Sequence, residues 1–462
     1  MLPLSRHSNT LVTDFTTGSV SKQLLVFSAP LFLSNLLQVV YNMVDMIIVG
    51  HVAGKTGLSA VSIGGDVSHF LTFIAMGFSS AGQIIISQYI GAGQRDKIGR
   101  FIGTMFTFLS ACALVLTAIC LLFRTPILAL MNTPEAAWDQ AMAYASICAA
   151  GLVFIYGYNM VSAILRGMGD SRHPFIFISI AAVMNVILDL LFVLRFNMGA
   201  MGAALATVIS QSFSFLCSAV FLWRKRAHFG FSICADDFLR LDGDMLLTLS
   251  KLGIPMSIKS ASIQFSKLFV NSWINGYGVE VSAMAGIANK FGSISNLFSN
   301  SINTAGSSMA GQNIGAEQYH RVPKIMLTSF AFTVTIAVLL SAAVLLFPIQ
   351  VFGIFTDEPE VLSIAMEYIP IAVLIFFGSA FRAPMNTLIN GSGNYPINFA
   401  TAILDGLVLR IGLSLLFGLT LNMEYIGFWL GDALAGFTPF WIGLVFYFSG
   451  KWKTRKYIIK KT

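Results

Sequence analysis

The segments SQYIGAG (87–93) and GQNIGAE (311–317) share the five-residue pattern Q-x-I-G-A. Gln88 and Gln312 lie 224 residues apart in a chain of 462 residues, so the pattern occurs once in each half. Other markers recur at nearly the same offset: Pro30 pairs with Pro255, and RGMGD (166–170) pairs with NGSGN (390–394). Markers that are scattered over both halves and share one offset indicate an internal duplication.

The composition places this duplicated chain in a membrane. It is 56% hydrophobic and 11% charged, and its mean hydropathy is +0.77. Soluble globular proteins carry about 25% charged residues. No cofactor-loop, metal-ligand or nucleophile–base pattern occurs, so we expect neither an enzyme nor a bound metal or organic cofactor.

Twelve apolar runs are long enough for spanning helices, which need about 20 residues. We predict spans at 24–50, 58–88, 101–123, 138–165, 174–194, 199–223, 248–274, 282–312, 323–347, 361–388, 396–420 and 425–448. The repeat divides them into an N-terminal six-helix lobe (1–223), a cytoplasmic loop (224–247) and a C-terminal six-helix lobe with a basic tail (248–462). Because six is even, both lobes start on the same side, which makes the repeat parallel. The predicted fold is an all-α polytopic membrane protein.

The basic residues predict the orientation. With a cytoplasmic N-terminus, 20 of the 28 Lys and Arg residues fall on inside segments, against three on outside segments: Lys55, Arg124 and Arg195. Such an excess follows the positive-inside rule and places both termini in the cytoplasm. The net charge of +7 therefore reflects topology rather than nucleic-acid binding.

Asp45 and Asp189 lie inside spans of the first half, and Asp66 lies near a span end. An ionisable side chain in a span is costly and points to function. Asp45 shares a helix face with Gln38 and Tyr41, and Asn185 is four residues before Asp189. Two neighbouring buried carboxylates cannot both stay ionised at low cost, so the pair is suited to hold a proton or Na⁺. Further polar groups in the spans serve either this site or interhelical hydrogen bonding. They are Tyr144, Asn159 and Thr207.

The spans of the second half carry five basic residues and two acidic ones. Two interpretations stay open: the acids pair with the bases, or the bases line a cavity that meets anionic groups of a substrate. The residues are Lys259, Lys267, Lys290, Arg382, Arg410, Asp405 and Asp432.

Four motifs resemble the multidrug and toxic compound extrusion (MATE) transporters, most closely their bacterial DinF-like branch. The resemblance runs over nearly the whole chain. The motifs are VYNMVDMIIVGH (40–51), RGMGDSRHP (166–174), MNVILDLLF (184–192) and GAALATVIS (202–210).

This resemblance implies a V-shaped pair of lobes that export organic molecules, usually cations, against inward H⁺ or Na⁺. It implies a cation site at Asp45, Tyr144, Asn185, Asp189 and Thr207, with Na⁺ held at four of these if it is the ion: Asp45, Asn185, Asp189 and Thr207. Gln38, Tyr41 and Asn159 match cavity-lining positions, and Pro30 matches a proline proposed to bend the first span. The basic second half departs from a branch with acidic residues in its seventh and tenth spans.

We therefore expect an exporter of small molecules in a bacterial cytoplasmic (inner) membrane, acting as a monomer. H⁺ is favoured over Na⁺ as the coupling ion. The alternative is a flippase or exporter of anionic or lipid-linked cargo, using Lys259, Lys267, Arg382 and Asp405 in the second lobe.

Overall fold

Helices make up nearly all of the chain that the computed structural model describes, which is residues 11–234, 236–454 and 458–459. No strand occurs in these residues. The α-helices are α1 Val20–Gly91, α2 Asp96–Leu122, α3 Arg124–Leu130, α4 Trp138–Ala150, α5 Leu152–Gly167, α6 Arg172–Asp189, α7 Gly199–Lys225, α8 Asp236–Leu239, α9 Gly243–Ile274, α10 Val279–Gly315, α11 Val322–Leu346, α12 Pro348–Gly353, α13 Pro359–Gly391, α14 Tyr395–Ile403, α15 Leu409–Leu415, α16 Glu424–Ala435 and α17 Thr438–Phe448.

Short 3₁₀ and π segments connect or extend these helices. The 3₁₀ turns are Glu135–Ala137, Asn275–Tyr277 and Tyr319–Arg321. The π-helical turns are Leu190–Arg195, Leu404–Val408 and Leu416–Thr420, which continue α6, α14 and α15.

The predicted twelve spans are confirmed. Within the described residues, nine candidates pass on length and apolar composition when the bent pair α4–α5 counts as one. α1 contributes two spans, because its backbone leaves the helical conformation at Gly54, inside the predicted loop. α9 and α10 are 32 and 37 residues long, enough to span, although they are richer in Ser, Asn and Lys.

Three predicted spans are interrupted in ways that the apolar runs do not indicate. The fourth bends by 49° between its two helices, at Gly151. The eleventh contains the π turns Leu404–Val408 and Leu416–Thr420, and the twelfth breaks at Gly436–Phe437. Hydropathy reports only that a segment is apolar, so it cannot locate such breaks.

The repeat is visible in the backbone. α1 and α10 end at Gly91 and Gly315, and both ends close with the same backbone hydrogen bonds. Two residues beyond, Gly93 and Glu317 adopt positive φ values of 73° and 59°. Gly suits this left-handed cap, whereas Glu adopts it at a cost. The opening pattern is therefore a helix end that occurs once per half.

The chain divides into two units. Unit 1 contains residues up to Phe15 together with Leu33–Ser250, and unit 2 contains Thr16–Phe32 together with the chain from Lys251 onward. α1 therefore begins in unit 2 and continues in unit 1, and Pro30 lies in its unit 2 portion. The lobe boundaries predicted from the repeat stay a prediction, as does the hinge at Pro30.

Each unit has its own buried apolar core. In unit 1, Val49, Ala60, Ala141 and Ala203 bring α1, α4 and α7 together. In unit 2, aromatic and aliphatic side chains of α9, α10, α11, α13 and α16 form a larger cluster around Phe376 and Phe428. These cores fix the helices whose polar side chains form the sites described next.

Candidate functional site

Asp45 and Asp189 meet inside unit 1. Asp45 lies on α1 and Asp189 ends α6, immediately before a π turn. Their side chains are 7% and 0% exposed, and the two carboxyl groups lie within hydrogen-bonding reach of each other. π turns occur frequently at functional sites.

Carboxylate oxygens of this acidic pair lack hydrogen-bond partners among the described residues. Oδ1 of Asp45 and both carboxylate oxygens of Asp189 accept no hydrogen bond from any described residue. Two ionised carboxylates in contact repel each other, and burial adds a desolvation cost to each. A proton shared between them, or a cation held by their oxygens, removes this conflict. The geometry is therefore suited to reversible cation binding.

Asn185 lies one turn before Asp189 on α6 and is 2% exposed. Neither its amide oxygen nor its amide nitrogen has a partner among the described residues. Buried amides are normally hydrogen-bonded, so the side chain is available to a bound ion or water.

Two tyrosines complete the surroundings of Asp45. Tyr41, one turn earlier on α1, and Tyr144 on α4 are both close enough to Asp45 to interact electrostatically. Gln211 on α7 forms a hydrogen bond with Tyr41. Gln211 was not predicted, and only its polarity within an apolar span could have indicated it.

The other predicted residues of unit 1 are Gln38, Thr207 and Asn159. Gln38 is exposed on α1, and Thr207 is half-buried on α7. The side-chain amide of Asn159 donates a hydrogen bond to the backbone oxygen of Ile155 in the same helix, at 2.8 Å. The structure thus brings Tyr41, Tyr144 and the acidic pair together.

In unit 2, Arg410 bridges both acids of the predicted set. Its Nη2 donates to Oδ1 of Asp405 at 2.9 Å, and its Nη1 donates to Oδ1 of Asp432. Arg410 is 2% exposed and Asp405 is fully buried. The mutual pairing of acids and bases is therefore realised mainly by one arginine, which can offer its donors in a fixed fork.

The remaining bases of unit 2 differ in their partners. Lys259 donates to Oδ1 of Asn386 at 2.7 Å, a contact that the sequence analysis missed. Arg382 donates to the backbone oxygen of Gly436 at 3.3 Å and lies 3.6 Å from Asp405. The break between α16 and α17 leaves that oxygen free to accept. Lys290 is exposed.

Lys267 and Arg382 line a cavity of about 60 Å³ within unit 2. Arg410, Asp432, Tyr368 and Trp429 also contribute to its wall. Asp405 lies behind this wall, paired with the two arginines.

The MatE family model matches residues 30–191 and 255–420. The chain belongs to the MatE family. The two matched segments begin at Pro30 and Pro255, the residues that pair in the internal repeat. Members of this family are membrane transporters rather than enzymes, so the chain is a multi-pass membrane transporter.

Relatives with curated names match this MatE chain over nearly its whole length. "Probable multidrug resistance protein YoeA" of Bacillus subtilis (strain 168) is 28% identical over 444 residues, covering 95% of both chains. "Probable multidrug resistance protein YpnP" of the same organism is 28% identical over 448 residues, covering 97% of this chain and 99% of the relative.

Solved structures share the fold. "Crystal structure of MATE in the bent conformation" has a TM-score of 0.85 at 23% identity and covers 94% of this chain and 97% of that chain. A transporter from Pyrococcus furiosus, described as having "reverse polarity of binding pocket", has a TM-score of 0.86 at 22% identity, with the same coverage.

Proposed function

We propose that this MatE transporter exports small organic molecules, chiefly drugs and organic cations, in exchange for an inward-moving cation. The buried acidic pair of unit 1 carries this proposal, because Asp45 and Asp189 lack the partners that two buried carboxylates require. The printed names of the bacterial relatives, "Probable multidrug resistance protein", support the class of cargo.

The coupling ion in this proposal is H⁺ rather than Na⁺. The carboxyl groups are close enough to share one proton, which would satisfy a donor and an acceptor without any further ligand. Na⁺ needs several oxygen ligands, and the candidates for these are Asp45, Asn185, Asp189 and Thr207. A shared proton needs only the two carboxyl groups themselves, and this smaller requirement is what favours H⁺ in the proposal.

In the proposed cycle, loading of the pair from outside weakens cargo binding and favours return to the inward-open state by alternating access. To move a conformational equilibrium from 1:99 to 99:1, the ion must prefer one state by about 5.5 kcal/mol. In this proposal, neutralising a repelling pair of buried carboxylates supplies that preference. The protein would act as a monomer in a bacterial cytoplasmic membrane, with both termini in the cytoplasm.

Asp45→Asn and Asp189→Asn test the coupling. The full chain is reconstituted in liposomes, and accumulation of a fluorescent cationic dye is measured under an imposed pH gradient and, separately, an imposed Na⁺ gradient. Each variant should lose gradient-driven transport, because an amide cannot exchange a proton or supply a charged ligand. The wild type should respond to the pH gradient.

Asp66→Asn is the matched control, since Asp66 is an acid of α1 that lies beyond the break at Gly54 and is not part of the pair. It should transport like the wild type. Undiminished gradient-driven export in both Asp45→Asn and Asp189→Asn would contradict the mechanism. A wild-type protein that responds to the Na⁺ gradient alone would show that Na⁺, not H⁺, is the coupling ion.

A second candidate function is export of anionic or lipid-linked cargo. The basic residues of unit 2 favour it, and so does the printed description of the Pyrococcus furiosus neighbour, which reports a pocket of reversed polarity. Lys259→Glu, Lys267→Glu and Arg382→Glu should then abolish transport of an anionic cargo while sparing a cationic dye. Intact transport of both cargo types in all three variants would count against it.

A further inference from the structure

Six charged groups of unit 2 form one electrostatic cluster inside the membrane-spanning helices. Each interacts with others of the set, and no further charged side chain contributes among the described residues. The four bases are Lys259, Lys267, Arg382 and Arg410, and the two acids are Asp405 and Asp432. With all groups ionised, the cluster carries two uncompensated positive charges.

The two acids are already engaged by Arg410. Its Nη1 and Nη2 donate to Asp432 and Asp405, which leaves only its Nε without an acceptor among the described residues. Arg382 reaches Asp405 only at 3.6 Å. The negative charge of the cluster is therefore concentrated around Arg410, and the surplus positive charge lies on the remaining bases.

Two of these bases, Lys267 and Arg382, place their surplus positive charge beside a cavity. Among the described residues, none accepts a hydrogen bond from the Lys267 ammonium, and Arg382 donates through Nε and Nη2 to the backbone oxygen of Gly436. Both side chains line the cavity of about 60 Å³. An uncompensated charge within a membrane span is costly, so a counter-charge in this space would stabilise the unit.

The cavity wall supplies neutral donors suited to an anion. Asn296 accepts from Ser379 through its amide oxygen at 3.3 Å, which leaves its amide nitrogen free to donate into the cavity. Tyr368 lies in the same wall. About 60 Å³ holds a few water-sized molecules, a size that suits a group of few atoms.

We propose that the unit 2 cavity binds a small monovalent anion, a halide or a carboxylate group, between Lys267 and Arg382. Asp432 is the one carboxylate among the described residues of the cavity wall, and it is paired with Arg410. Lys259, Lys267 and Arg382 together outweigh the single net negative charge that Arg410, Asp405 and Asp432 leave, so Asp432 does not prevent anion binding. The site is independent of the acidic pair of unit 1, and of whether H⁺ or Na⁺ drives export.

The test uses the full chain in lipid nanodiscs without cargo. Equilibrium dialysis with ³⁶Cl-labelled chloride, in methanesulfonate buffer of constant ionic strength, should give saturable binding of about one ion per chain. The Tm, followed by tryptophan fluorescence, should rise as chloride replaces methanesulfonate and should level off over the same concentrations, because a ligand that binds only the folded state stabilises it.

Lys267→Gln should lose both the saturable binding and the Tm rise, whereas Lys290→Gln should keep both, because Lys290 is an exposed lysine of the same unit. Arg382→Lys, which retains the charge, should bind more weakly than the wild type. If Lys267→Gln does not fold, the wild-type dialysis still decides the matter. Absence of saturable binding, or equal binding by Lys267→Gln and Lys290→Gln, would overturn the proposal.

Competition between acetate and chloride distinguishes a carboxylate group from a free halide as the occupant of the site. Displacement of ³⁶Cl by millimolar acetate would assign the site to a carboxylate, such as the acidic end of an organic molecule. Saturable chloride binding that acetate does not displace would assign it to the free halide. Both outcomes support an anion site, and neither depends on the proposed export function.

Discussion

Tyr144 approaches Asp45 because Gly64 gives it room. A Cβ added at Gly64 would lie 3.0 Å from Cγ and 3.2 Å from Cβ of Tyr144, with the ring edge closer still. At the neighbouring Gly65, an added Cβ meets nothing within 4 Å. The sequence alone does not indicate which of these two adjacent glycines faces the fourth span, because that depends on how α1 is rotated in the unit.

Gly64→Ala should displace the Tyr144 ring from the acidic pair and lower gradient-driven transport several-fold. Overpacking of this kind costs about 1–3 kcal/mol of stability, so the Tm should fall as well. Dye transport in liposomes and thermal unfolding are measured together. Gly65→Ala is the control and should resemble the wild type, so equal activity and Tm in the two variants would contradict the packing argument.

Arg410 shows a second limit of prediction from sequence at the scale of single residues. The sequence analysis placed seven charged residues in the spans of the second half and left open whether they pair. Only the structure selects Arg410 as the bridge to Asp405 and Asp432, and leaves Lys267 in the cavity wall. Which of several bases meets an acid depends on helix rotation and depth, which charge counting does not contain.

At the scale of elements, the segment that follows α7 is packed against α2. An added Cβ at Gly99 would lie 3.0 Å from the backbone carbon of Ser232, and its oxygen is nearer. Thr107 donates to the backbone oxygen of Phe238 at 2.8 Å. The four-residue spacing of Gly99, Gly103 and Thr107 places them on one face of α2, and this face packs against the backbone of Ser232 and of the short helix α8.

Gly103→Ala should loosen this packing, because its Cβ would lie 2.5 and 2.9 Å from the carbonyl carbon and Cβ of Asp237. Trypsin should then cleave after Arg240 several-fold faster than in the wild type, as judged by mass spectrometry. Gly412→Ala, at a helical glycine with nothing within 4 Å of an added Cβ, should leave the cleavage rate unchanged. Equal cleavage of Gly103→Ala and wild type would show that the segment does not depend on this glycine.

The π turns are also features of elements that the sequence does not reveal. Leu190–Arg195 follows Asp189 directly, and Leu404–Val408 contains Asp405, so each unit places a buried acid at a π turn. Both segments are apolar runs with ordinary helix-forming residues. A π turn adds one residue to the ring between hydrogen-bonding groups, and packing against neighbouring helices decides where that occurs.

For the whole molecule, the charge distribution predicts an orientation that labelling can test. In a chain without its five native cysteines, Arg195→Cys should react with a membrane-impermeant maleimide in intact cells. Lys225→Cys, at the last residue of α7, should react only after the cells are opened. Both side chains are exposed, so access is limited by the membrane alone. The opposite pattern would invert the orientation, and with it the side from which the cation enters.

The sequence by itself determined the all-helical membrane fold, the twelve spans, the duplication and the acidic and basic residues worth examining. These follow from composition, run length and offset, which are properties of a linear chain. The tertiary structure alone decided that Asp45 meets Asp189, that Arg410 joins Asp405 to Asp432, and that Lys267 and Arg382 face a cavity. Such contacts join helices far apart in the chain, and their rotation is fixed by close packing of apolar side chains.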